Sequence, residues 1–237
     1  MISVCIPTFN GELYIEEQIN SILMQLNPGD EIVISDDNST DKTLAKLLAI
    51  NDNRIKISKN PNKAGLVHNV ENALNQAIGD IIYLADQDDV WVSDKVAIIT
   101  PLMEKYNLVL SDAFVTDASG NILNESFFAV NFSGKGFLRN WVNNSFMGCC
   151  MTFNRKILEI VLPFPSNIAM HDSWIGLNAA LRGNYFLLRK PLIYYRRHGN
   201  NTITTFRKNY LPIHYQIRYR LVLMMHILKR WAIRKSN

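Results

Sequence analysis

The chain predicts an α/β fold built on a mainly parallel sheet, and three observations lead there. Short apolar runs alternate with helical patterns through the first hundred residues, as parallel strands joined by helical crossovers require. Two of those runs are followed at once by acidic clusters, and the crevice of an open α/β sheet lies at such strand ends. At 237 residues the chain buries enough surface for one large domain or for one and a half.

The elements follow in order. Strands are expected at residues 3–7, 31–35, 55–58 and 80–85, with helices at 13–25, 42–49 and 67–77 between them. Asn38-Ser39-Thr40-Asp41 offers an N-cap for the second helix, and Gly65 a turn before the third. Beyond residue 105 the pattern loosens: strands at 108–116 and 147–154, helices at 156–161 and 173–182, short strands at 185–188 and 192–195. In residues 206–235, Ile213, Ile217, Leu221, Met224 and Leu228 recur at helical spacing among basic residues, an amphipathic basic helix begun or broken near Pro212.

The net charge of +4 conceals an asymmetry. Residues 1–172 carry 12 Lys/Arg and all 21 Asp/Glu, a balance of −9, whereas residues 173–237 carry 13 Lys/Arg and no acid. An anionic partner is therefore expected, either phosphate on a ligand or a lipid head-group surface, and no nucleic acid. No run approaches the roughly 20 apolar residues of a membrane span, and Met1 leads directly into a strand. The odd count of three cysteines, without metal-ligand spacing, fits a reducing cytosol.

Asp86-Gln87-Asp88-Asp89 follows the apolar run Ile81-Ile82-Tyr83-Leu84-Ala85 without a spacer. Three carboxylates in four residues repel one another, and a hard divalent cation holding a diphosphate resolves that repulsion; Mg²⁺ and Mn²⁺ prefer oxygen ligands. Asp36-Asp37 follows residues 32–35, so both clusters are expected to line one cleft with Thr8 and Asn10. One of Asp36 and Asp37 is expected only to cap the following turn.

Five motifs in this order, residues 2–10, Ser35-Asp-Asp-Asn-Ser-Thr-Asp41, Asp86-Gln-Asp-Asp-Val-Trp91, His171-Asp-Ser-Trp174 and Tyr195-Arg-Arg-His-Gly-Asn-Asn201, resemble family 2 glycosyltransferases of the GT-A fold. The Asp-Gln-Asp-Asp-Val-Trp form is most similar to bacterial rhamnosyl-, galactosyl- and glucosyltransferases of surface polysaccharide synthesis. The resemblance implies a GT-A domain over 1–205, its nucleotide-sugar half 1–105 and its acceptor half 106–205, followed by the helical extension 206–237.

The resemblance also implies roles. Asp36 matches the aspartate that accepts a hydrogen bond from the nucleobase; a carboxylate can only accept, and uracil or thymine offers an N3–H, so a UDP- or dTDP-sugar is expected. Thr8, Asn10 and Glu12 match positions around base and ribose. Asp86 is expected near ribose and metal, Asp88 as the direct Mn²⁺ or Mg²⁺ ligand, Asp89 as a second ligand or its support, and His198 at the metal or diphosphate. Arg196 and Arg197 are candidates for the diphosphate. Asp172, before a helical pattern whose N-terminus favours an ionised, low-pKa carboxylate, is the expected base of an inverting displacement.

The implied reaction adds a single sugar to a glycan or lipid-linked acceptor, because the Gln-x-x-Arg-Trp signature of processive relatives does not follow Asp172. Trp91 and Trp174 are read as core residues or as platforms for a sugar face. Arg218, Arg220, Lys229, Arg230, Arg234 and Lys235 are candidates for holding the protein on the anionic cytoplasmic face of the membrane, the alternative being that their helix packs on the catalytic domain or on another subunit. Among rival classes, a dinucleotide oxidoreductase needs a Gly-rich first turn that Pro7-Thr-Phe-Asn-Gly11 lacks. An aspartyl phosphatase leaves Asp172 and His198 unexplained, and a noncatalytic nucleotide-sugar binding module has no need of Asp172.

Overall fold

The computed structural model describes residues 1–199 and 212–235. The chain runs β1 (Ile2–Thr8), α1 (Ile15–Leu23), β2 (Glu31–Asp36), α2 (Thr43–Ile50), β3 (Ile55–Lys59), α3 (Leu66–Gln76), β4 (Ile81–Leu84), β5 (Val90–Trp91) and α4 (Lys95–Ile99). The second half adds β6 (Leu108–Thr116), β7 (Ile122–Asn124), α5 (Phe127–Val130), α6 (Phe137–Val142), β8 (Met151–Asn154), α7 (Arg155–Val161), α8 (His171–Leu181), β9 (Tyr185–Arg196) and α9 (Ile213–Lys235). One sheet carries the order β3-β2-β1-β4-β8-β6-β9-β5, with β7 on β6.

Strands β3, β2, β1 and β4 are parallel, as the alternating pattern predicts. Every residue of β1 and β2 is buried, because helices cover both faces of this half and leave no polar side to alternate with. Helix α1 turns Ile15, Ile19 and Ile22 inward at a spacing of three and four residues. The other half is mixed: β8 runs antiparallel to both β4 and β6, β9 is parallel to β6, and β5 antiparallel to β9.

Two expectations change in detail. Residues 185–188 and 192–195 form the single strand β9, whose register against β6 shifts between Ser111 and Asp112. The shift falls beside Pro191, which has no N–H to give the ladder. Residues 147–154 divide into a 3₁₀ turn over Gly148–Cys150 and the shorter strand β8. The short elements β5, α4, β7, α5 and α6 carry too few residues for a periodic signal.

Helix α9 begins directly after Pro212 and docks through Leu223 and Ile227, while Ile213, Ile217, Leu221 and Leu228 face outward. Arg220 donates to the Val142 carbonyl at 2.7 Å and accepts at its own carbonyl from Trp141 Nε1 at 2.9 Å. Arg230 donates to the carbonyls of Ile160 and Leu162 at 2.9 and 2.6 Å. These two arginines therefore hold the helix on the protein, whereas Arg218 and Lys229 are exposed; the side chains of Arg234 and Lys235 lie outside the described residues. The expected domain boundary at 205/206 also lies outside them, as do Asn200 and Asn201. Among the described residues no helix is long and apolar enough to cross a membrane.

Candidate active site

A cavity of about 490 Å³ opens where β1, β2 and β4 end, within the size range of small-molecule sites. Pro7, Thr8 and Phe9 leave β1 into it, Asp37 follows β2, Gly65 and Asn69 come from the start of α3, and Asp86, Gln87 and Asp88 follow β4. Met147, Gly148, His171, Asp172 and Tyr195 close the remaining wall. The topology thus gathers carboxylates from three distant stretches of chain around one space.

The pair after β2 divides its work in the order opposite to that expected. Asp36 is fully buried and accepts from Thr8 Oγ1 at 2.9 Å, Ser39 Oγ at 2.6 Å and Ser39 N at 2.8 Å. It caps the turn and does not line the cavity, which corrects its assignment to the nucleobase. Asp37 lines the cavity instead. Its oxygens accept from Asn60 Nδ2 at 2.9 Å and from Gly65 N at 2.7 Å, and each keeps a further lone pair. Gly65 makes its contact with φ at +133°, a conformation that disfavours any side chain.

Asn10 and Glu12 are also structural and absent from the cavity wall. Asn10 Oδ1 accepts from Thr40 N at 2.8 Å and Glu12 Oε2 from Lys42 N at 2.9 Å, stapling the β1–α1 loop to the β2–α2 turn. Thr8 does line the cavity, with its hydroxyl engaged by Asp36. The guanidinium of Arg196 pairs with Glu17 at 2.6 Å and lies 4.8 Å above the Tyr14 ring, away from the cavity lining. The expected diphosphate contact from Arg196 is therefore replaced by an internal ion pair.

The acidic run after β4 is tightly organised. Gln87 makes two bonds to the Phe9 backbone, at 2.9 and 3.0 Å, and a Cβ on Gly11 would meet its Oε1 at 2.4 Å. Asp88 Oδ2 lies 2.8 Å from His198 Nε2, and the imidazole stacks on Tyr14 with centroids 4.8 Å apart. Asp89 is fully buried: Oδ1 accepts from Arg196 N at 3.0 Å, and Oδ2 has no partner among the described residues.

Burial, and then the Asp88 charge, push Asp86 up to about 7 and Asp89 well above the usual carboxylate range. Oxygen donors of Asp86 and Asp89 lie within 4.8 Å of each other and of Cys149 Sγ. The bond with Cys150 and burial hold the Cys149 thiol well above its ordinary value, leaving it protonated and a poor match for a hard cation. The orphaned Asp89 oxygen and the crowded carboxylates with His198 nearby form a donor set that fits Mn²⁺ or Mg²⁺.

Asp172 is the second residue of α8 and 6% exposed. Burial raises it to about 6, although Ser173 N and Asn144 Nδ2 donate to it. The low value expected from the helix N-terminus is thus overturned: a desolvated carboxylate loses more from leaving water than one helix end returns. Beside it, burial lowers His171 to about 4, and a Cβ at Gly148 would sit 2.6 Å from His171 Nε2, so that the imidazole would have to shift.

One residue beside the acidic run escapes a reading of the sequence. Lys95 is wholly buried, donates to the Cys149 carbonyl at 3.2 Å and lies 4.0 Å over the Trp91 ring. Burial lowers it to about 8, and the Asp89 and Asp86 charges help it keep its proton. Nothing in its spacing separates it from an exposed helix-start lysine. Trp91 and Trp174 are core residues, the latter donating to the Val161 carbonyl at 2.9 Å.

The sheet order and the acid-lined cavity at its strand ends have the GT-A architecture. The glycosyl transferase family 2 model matches residues 3–162, and the chain belongs to that family. It is 30% identical over 216 residues to the dTDP-rhamnosyl transferase RfbG of Shigella flexneri, covering 83% of this chain and 72% of that protein. To the GalNAc(5)-diNAcBac-PP-undecaprenol beta-1,3-glucosyltransferase of Campylobacter jejuni it is 37% identical over 141 residues, 57% of this chain and 43% of that one. Staphylococcus aureus TarS (residues 1–349) in complex with UDP-GlcNAc superimposes with a TM-score of 0.73 at 21% identity, over 94% of this chain and 66% of TarS. Glucosyl-3-phosphoglycerate synthase from Mycobacterium tuberculosis, solved with Mn²⁺, UDP and phosphoglyceric acid, gives 0.61 at 18% identity, over 97% and 78%. The chain thus spans less than half the Campylobacter relative, and the solved structures share its GT-A fold.

Proposed function

We propose that the protein transfers a single sugar from a UDP- or dTDP-sugar to a hydroxyl of a lipid-linked glycan acceptor in surface polysaccharide synthesis, with inversion. The observation that carries this reading is the convergence of Asp37, Asp86, Asp88 and Asp172 on one cavity. Asp37 accepts from the base N3–H, and Phe9, 54% exposed at the rim, offers an aromatic face to the base. Asp88 and His198, with Asp86 and Asp89, would hold Mn²⁺ or Mg²⁺, which when bound neutralises the diphosphate leaving group.

Asp172 takes the acceptor hydroxyl's proton as the new glycosidic bond forms. A carboxylate raised to about 6 is mostly ionised at neutral pH, yet more basic than an exposed one. A single carboxylate on that wall suits one in-line displacement at the anomeric carbon. The names of the RfbG and Campylobacter relatives support a dTDP-sugar and an undecaprenol-linked acceptor, respectively. Incubation with a panel of nucleotide sugars and Mn²⁺, with and without an undecaprenyl-diphosphate glycan, tests the reading by nucleotide release and product mass. Release from no donor, or identical release with metal removed by chelation, overturns it.

A further inference from the structure

The outward face of α9 has a companion on α6. Ile217 and Leu221 lie one turn apart on α9, and Leu138 and Val142 one turn apart on α6; all four are exposed, Leu221 at 57% and Leu138 at 70%. The helices are tied where these residues meet, through Trp141 Nε1 to the Arg220 carbonyl and Arg220 to the Val142 carbonyl. Phe132, just before α6, is 77% exposed, and Ile213 and Leu228 extend the band along α9. Contiguous exposed apolar bands of this kind mark interaction surfaces.

We infer that this α6–α9 face is an interfacial docking surface for an anionic lipid bilayer, a proposal that rests on the lipid-linked acceptor of the preceding reading. Charge selects the occupant. Exposed Lys135, Arg139, Arg218 and Lys229 flank the band, no acid occurs between Glu125 and Glu159, and none follows Asp172. A second copy seated through the same face would set these cations against their own equivalents, whereas an anionic head-group layer complements them. The face also adjoins the base: Asn144, two residues past α6, donates to Asp172 at 3.5 Å. Bilayer docking here brings the Asp172 wall of the cavity next to the plane in which a polyprenyl-linked acceptor is anchored.

Flotation of the 237-residue chain with vesicles of phosphatidylcholine alone, or containing roughly one third phosphatidylglycerol, at low and high salt, tests the surface. Binding at least about tenfold stronger to the anionic vesicles and weakened by salt is expected. Leu138→Glu with Leu221→Glu should lower it about tenfold or more, and Arg218→Glu about fivefold. Acceptor-independent nucleotide release should stay at the wild-type rate in these variants, which alter exposed positions outside the cavity lining. Equal binding to both vesicle types, variants that float like the wild type, or a dimer in sedimentation that Leu221→Glu dissociates would overturn the inference. Vesicle binding without nucleotide release from any donor would sink the transferase reading alone, and release without vesicle binding the surface alone.

Discussion

The carboxylates after β4 and the carboxylate at the start of α8 border the same cavity and are both raised, but by different forces. Asp86 and Asp89 rise through burial and then through the negative charge of Asp88, so their strain is mutual. Asp172 rises chiefly through burial against opposing hydrogen bonds, and its own charge adds a smaller push on Asp86. A cation relieves the first kind by supplying the missing charge. On the proposed reading the second kind would persist and provide a base that neutral pH leaves ionised. On the proposed reading, the crowded cluster would serve the diphosphate and the carboxylate of α8 the proton.

The sharpest way to break this contrast is Asp172→Asn, which should lower kcat by about 10³ while leaving the Mn²⁺ titration and nucleotide Kd within about twofold of wild type. Asp88→Asn should do the reverse: the Mn²⁺ concentration for half-activity rises at least about tenfold and kcat/KM falls about a hundredfold at the original metal level. Equal metal titrations in both variants would show that the acidic run does not hold the ion.

The neighbours Asp36 and Asp37 sharpen a smaller contrast. Asp37→Asn should weaken UDP or dTDP binding about tenfold in calorimetry with little change in Tm, since its amide can no longer match the base donor at both oxygens. Asp36→Asn should lower stability by roughly 1–3 kcal/mol in urea denaturation, because a buried acceptor for Thr8 and Ser39 is replaced by a donor. Exchanged phenotypes would restore Asp36 to the nucleobase.

The mildest effect concerns pH. Asp172 is useful ionised, so kcat/KM should fall as pH drops through about 6. Its folded pKa exceeds the unfolded one, so the folded state binds the extra proton and stability falls as pH rises between roughly 4 and 6. Removing that buried charge in Asp172→Asn should stabilise the protein at pH 7 by roughly 2 kcal/mol, a gain of a few degrees in Tm by calorimetry. A lower Tm in that variant would mean that the carboxylate is held by its hydrogen bonds more than it is penalised by burial.

Much of the fold was legible in the chain because its signals are local. Apolar runs of four to seven residues separated by helical periods specify β1 to β4, and acids placed at once after two of them specify where a cleft forms. The motif that carries His198 could be placed beside Asp88 only by the resemblance, since 110 residues separate them. Lys95 and Gln87 were illegible for a related reason: their partners, the Cys149 carbonyl and the Phe9 backbone, lie 54 and 78 residues away.

By itself, then, the sequence determined the alternation of strands and helices, the positions of the acidic runs at strand ends and the cationic character of residues 173–237. Tertiary structure alone decided that Asp36 turns inward while Asp37 faces the cavity, that Asp172 is a raised rather than a lowered carboxylate, and that α9 buries Leu223 and Ile227 while showing Leu221 to solvent. The physical reason is range. Backbone propensity acts over a few residues, whereas desolvation and the choice of hydrogen-bond partner depend on what distant segments bring alongside.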